Sequence, residues 1–124
     1  MIARFLFSLT FLFLLISSAL SATELNPDQQ KEVRTLINLL DYIAKDYAMA
    51  IDDGEVINEF EYAEMSEFSQ QLLDIHDRLD KVIEKKSFDE IKPGLLDLQS
   101  QVNQKATTEE IRGITQSLRS KVLA

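Results

Sequence analysis

Cysteine is absent from the 124-residue chain, which excludes disulfides, thiolate metal centres, lipid attachment at a cysteine and covalently held c-type haem. A single histidine supplies too few nitrogen ligands for zinc chemistry. Only three Gly and two Pro occur, and neither a low-complexity tract nor a solenoid-period repeat is visible, so one domain is expected, from about Thr23 to Ala124. Positive charge is scarce as well: 13 Lys and Arg stand against 21 Asp and Glu, a net charge of −8. That balance disfavours nucleic acid and anionic lipid as partners and favours cations and basic surfaces.

There is one long apolar run. After Arg4, residues 5–16 are interrupted only by Ser8 and Thr10, and small residues follow from Ser17 to Ala22. A cationic start, a short apolar core and small residues such as Ala19 and Ser21 make a secretory signal peptide, with cleavage expected between about Ala19 and Ala22. The alternative is an uncleaved anchor, for which the apolar core falls short of the roughly 20 residues that span a bilayer. The expected organisation is therefore a signal peptide over 1–22 and one exported, periplasmic domain over 23–124. About 100 residues suffice for one core.

Within that domain, apolar positions recur at three- and four-residue steps, the period of a helix face. Asn26, Pro27 and Gln29 open a first helix carrying Leu36, Ile37, Leu40, Ile43, Tyr47 and Ile51. It is expected to end near Asp52, Asp53 and Gly54, with Gly54 as a left-handed C-cap. Asn58 with Glu61 opens a second, whose stripe Met65, Phe68, Leu72, Ile75, Leu79 and Val82 resembles a heptad seam. Ser87 with Glu90 predicts a capping box for a third helix through Ile91, Leu95, Leu98 and Val102, with Pro93 in its first turns. Thr107 with Glu110 opens the fourth, with Ile111, Ile114 and Leu118 inside and Gly113 weakening it. Four amphipathic helices joined by short links predict an all-α, antiparallel four-helix bundle. Its first two helices, roughly 25 residues or 37 Å long, outreach the other two.

Enzymatic constellations find no support. A di-iron bundle needs Glu-x-x-His on two helices, whereas Leu73 precedes His76 by three. No nucleophile motif accompanies His76, which is expected at the surface among Asp74, Asp77 and Asp80. The loop around Gly54 resembles the middle of an EF-hand, but Met49, Ile51 and Phe60 would occupy ligand positions, so it reads as a helix stop. What remains is an acidic group near one bundle end. Asp46 and Glu61 sit beside the seam on the two long helices, with Glu64, Tyr47 and Met65 close by. Carboxylates with a phenol suit a hard cation such as ferric iron or calcium. The competing reading is an ordinary solvated helix end.

The stretch 39–68, "LLDYIAKDYAMAIDDGEVINEFEYAEMSEF", carries the pairs Asp41-Tyr42 and Asp46-Tyr47, the "DGEVIN" turn and "EYAEMSEF". It resembles the extracytoplasmic helical region of bacterial high-affinity iron permease family proteins. Two departures stand out: Lys45 replaces an apolar residue, and the membrane helices with their Arg-Glu-x-x-Glu motif are missing from this sequence. The resemblance implies a periplasmic accessory or metal-binding protein that presents iron to, or docks on, a separate membrane permease. The alternative is a structural or protein-interaction helical module without metal.

Overall fold

The computed structural model describes residues 24–124; the expected signal peptide and its cleavage site lie outside the described residues. Helix α1 spans Pro27–Ala50 and α2 spans Glu59–Asp80. A single turn, α3 (Lys86–Asp89), leads into α4 (Ile91–Asn103), and α5 (Thr108–Leu123) completes the bundle. The four long helices form an antiparallel four-helix bundle. Helix α1 packs on α2 and α5, and α4 packs on the other flanks of the same two.

Local chemistry starts three of the four long helices where the sequence predicts. Asn26 Oδ1 accepts from Gln29 N at 2.8 Å while Asn26 N donates to Gln29 Oε1 at 3.0 Å. Thr107 and Glu110 exchange the same reciprocal pair. Asn58 Oδ1 accepts from Glu61 N at 3.2 Å. Each cap satisfies donors that the first helical turn leaves free.

Two boundaries differ from expectation. Helix α1 stops at Ala50, and Gly54 is not its C-cap. Strand β1 (Ile51–Asp52) instead pairs antiparallel with β2 (Glu55–Val56), Ile51 opposite Val56. Asp53 and Gly54 take positive φ values of 49° and 75°, the two-residue turn whose twist suits a hairpin. The Asp53-Gly54 dipeptide, inside the pairs Asp52 with Glu55 and Ile51 with Val56, thus turns a hairpin and does not cap the helix. At the other link, Ser87 and Glu90 do not form a capping box. Lys85 precedes α3 without a side-chain cap bond, and Glu90, with φ −68° and ψ −12°, carries the chain into α4. Pro93 is then the third residue of α4, where its missing donor would have had no helical partner.

Leu40, Ile43, Tyr47, Met65, Leu72, Leu79, Leu95, Leu98 and Leu118 are buried as their periodicity requires. Phe68 and Ile114 sit at the margin of the core, half-buried. Val82 falls beyond the end of α2 and is exposed. Gly94 allows a close approach: a Cβ there would lie 2.5 Å from Leu118 Cδ2. His76, expected at the surface, is fully buried. It lies four residues after Leu72 and three before Leu79, on the core line of α2. Its ring stacks on Phe88 with centroids 4.5 Å apart, and Nε2 donates to the Phe88 carbonyl at 2.8 Å. That donation fixes the proton on Nε2. Nδ1 is buried without a hydrogen-bond partner among the described residues.

Candidate functional site

Two contacts establish how α1 and α2 are aligned. Tyr42 lies against Phe68, ring centroids 6.3 Å apart. Ten residues back on α1, Glu32 accepts from Arg78 Nε at 2.7 Å, ten residues onward on α2. An antiparallel pair keeps this register along its length, so Asp46 stands level with Glu64 and Met49 with Glu61. Glu61 lies one turn beyond the Asp46 and Glu64 level, about 4.5 Å along the axis. All three carboxylate residues are half-buried. They flank the outer groove of the α1–α2 pair, at the end that the hairpin closes.

The other two expected ligands belong to the core. Tyr47 and Met65 are both fully buried, because each lies on the central line of its helix. Tyr47 Oη donates to the Ala106 carbonyl at 2.7 Å. Burial first, then Tyr62 and Glu110, pushes its hydroxyl up to about 12, away from the phenolate that ferric iron prefers. Tyr62 similarly donates to the Val102 carbonyl at 3.1 Å. These two phenols therefore tie the α4–α5 turn to the long helices and do not line a metal cage. Among the described residues, no group of three or more His, Cys, Asp or Glu side chains is placed to hold a metal ion. The acids that remain at the groove form an open, level pair with a third one turn away.

Charge is unevenly distributed along the bundle. Residues 45–67 and 99–113, the hairpin half, hold ten Asp or Glu against three Lys or Arg, a net of −7. Residues 24–35, 74–97 and 117–124, at the opposite end, hold ten against nine, a net of −1. Cationic partners follow the same division. Arg78 pairs with Glu32, Lys92 with Asp77 and Arg119 with Asp41. The Lys92 hydrogen bond holds Asp77 below the usual carboxylate range. Among the described residues, no acid of the hairpin half has such a partner.

Apolar residues that sequence reasoning assigned to no site are exposed toward the same end. Tyr42, Met49, Ile57 and Phe60 are 51%, 50%, 58% and 71% exposed, four of the seven largely exposed large apolar side chains among the described residues. Tyr42, Asp46 and Met49 follow an i, i+4, i+7 spacing off the core line, a second stripe that could have signalled this face. At the opposite end, a cavity of about 560 Å³ opens where α1 begins and α5 ends, with Leu25, Val82, Phe88 and Val122 in its lining. None of the described helices is long and apolar enough to cross a membrane.

The comparisons with known proteins extend the 39–68 resemblance to almost the whole chain. The family model for the iron permease-associated 4-helix bundle domain matches residues 22–123. No curated protein and no solved structure matches the chain.

Proposed function

The chain belongs to the iron permease-associated four-helix bundle domain family, a domain associated with iron permease family proteins, and from that premise we propose that it is a periplasmic accessory of iron uptake. Iron is its cargo, passed on to a separate membrane permease. The observation that carries this reading is the −7 hairpin half without cationic partners. A field of one sign raises the local concentration of cations and speeds their arrival. Asp46, Glu64 and Glu61 are where a cation is held. Their open arrangement suits capture and release, since a cargo site must let its ion go. Tyr47 and Met65 take no part, being committed to the core.

Melting with and without ferrous, ferric and calcium ions tests the assignment. With ion at about 100 times its dissociation constant, one site stabilises the fold by roughly 2.7 kcal/mol. The Asp46→Asn, Glu61→Gln, Glu64→Gln triple variant is expected to lose that ion-dependent shift. An equal shift in the triple variant would refute these residues as the site. A second reading, a protein-interaction module without metal, is favoured by the exposed side chains of Tyr42, Met49 and Phe60 on the same face.

A further inference from the structure

We infer that the outer α1–α2 groove at the hairpin end is a docking surface for a basic amphipathic helix of a partner protein, one presenting an apolar, a basic and again an apolar side chain at successive turns. Two helical stripes build it. On α1, Tyr42, Asp46 and Met49 succeed one another, and on α2, in the opposite direction, Phe68, Glu64 and Phe60. The Tyr42 to Phe68 contact at 6.3 Å sets these stripes level. The groove therefore reads aromatic pair, carboxylate pair, apolar pair.

Its dimensions match a helix. Seven residues separate Tyr42 from Met49, about 10 Å along the axis, with the carboxylates near midway. A partner helix presents side chains at i, i+3 or i+4, and i+7 over that same distance. Aromatic residues and methionine are the types enriched in interface cores, and Phe60, at 71% exposed, is the most open large apolar residue among the described residues. One exposed apolar side chain is ordinary on a folded domain; the grouping of Tyr42, Met49 and Phe60 along one helix pair is what marks a contact surface.

Charge selects the occupant. A second copy of this chain would bring Asp46 and Glu64 against their own like, inside a half that carries −7, and like charges set together suppress such a pairing. A Lys or Arg placed between Asp46 and Glu64 instead supplies the cationic partner that neither carboxylate has in the bundle. The inference stands on this pattern and not on metal binding. Both can be true of one groove, in which case partner and cation compete.

The probe is a synthetic helical peptide of about 15 residues with Leu at i and i+7 and Lys at i+3 and i+4, length set by the helix pitch. It is titrated into the isotopically labelled protein in chelator-containing buffer and followed by amide shifts. Shifts centred on Tyr42, Asp46, Met49, Phe60 and Glu64 are expected, with affinity falling as salt rises. Phe60→Ser is expected to weaken binding about tenfold or more, as for an interface anchor, and so is Asp46→Asn with Glu64→Gln. Circular dichroism confirms that these surface variants fold. A peptide carrying Glu in place of Lys is expected not to bind. Equal binding of that peptide, no effect of Phe60→Ser, or shifts gathered at the Leu25 and Val82 cavity would overturn the proposal. So would a dimer in sedimentation that Phe60→Ser dissolves, because the occupant would then be a second copy. Because the buffer holds no free metal, peptide binding and ion-dependent melting fail independently.

Discussion

Removing one oxygen, by Tyr47→Phe, probes the link between the long helices and the α4–α5 turn. The ring remains to fill its place in the core, so almost no cavity term arises. What is lost is the 2.7 Å hydrogen bond to the Ala106 carbonyl, which is left facing the apolar ring edge. The Ala106 carbonyl is part-buried, and an acceptor withheld from water and deprived of its donor costs about 1–3 kcal/mol. For a domain of this size each kcal/mol moves the melting temperature by about 4–8 °C. The pH dependence supplies a second reading of the same group. Tyr47 is held neutral up to about 12, against the 10.0 of an ordinary tyrosine. A group whose folded pKa is raised contributes stability that is complete below pH 10 and lost as pH climbs through 12. Each pH unit in that window removes about 1.4 kcal/mol. Wild type is therefore expected to exceed Tyr47→Phe by about 1–3 kcal/mol at pH 8, with the gap reduced by about 1.4 kcal/mol at pH 11. Urea denaturation of both proteins at the two pH values measures this. A difference below about 0.5 kcal/mol at pH 8, the usual surface value, would refute the structural role of the hydroxyl. A gap that does not change with pH would refute its being held neutral.

Two glycines in helices are expected to respond oppositely to alanine. Gly94→Ala sets a Cβ against Leu118, whose buried position limits its retreat, and should cost about 1–3 kcal/mol. Gly113→Ala meets nothing within 4 Å and should stabilise by about 0.8–1 kcal/mol through helix propensity; chemical denaturation ranks the pair. Leu72→Ala, at a fully buried position, should lose roughly 2–5 kcal/mol, whereas Phe68→Ala, at the core margin, should lose less in the same assay. Gly54→Ala places a side chain at φ 75° and should destabilise by about 1–2 kcal/mol, read as a lowered urea midpoint with unchanged slope.

The sequence by itself determined the helices and their order. Caps such as Asn26 with Gln29 and Thr107 with Glu110 act within four residues, and the core stripe needs only a helical period, so both can be read along the chain. Nearly the same core followed, and the permease-like phrase over 39–68 pointed to the family that the comparison then extended to 22–123. Only the tertiary structure decided the rest. The Asp53-Gly54 turn serves a helix stop and a hairpin equally well in sequence, and the pairing of Ile51 with Val56 chose between them. His76 could be buried because Phe88, twelve residues away, supplies both a stacking face and a carbonyl. Tyr47 left the expected ligand set because its hydroxyl meets Ala106 across the bundle. Asp46 stands opposite Glu64 because knobs on two helices interlock in one register. Such a register is a property of the packed pair, and neither helix carries it alone.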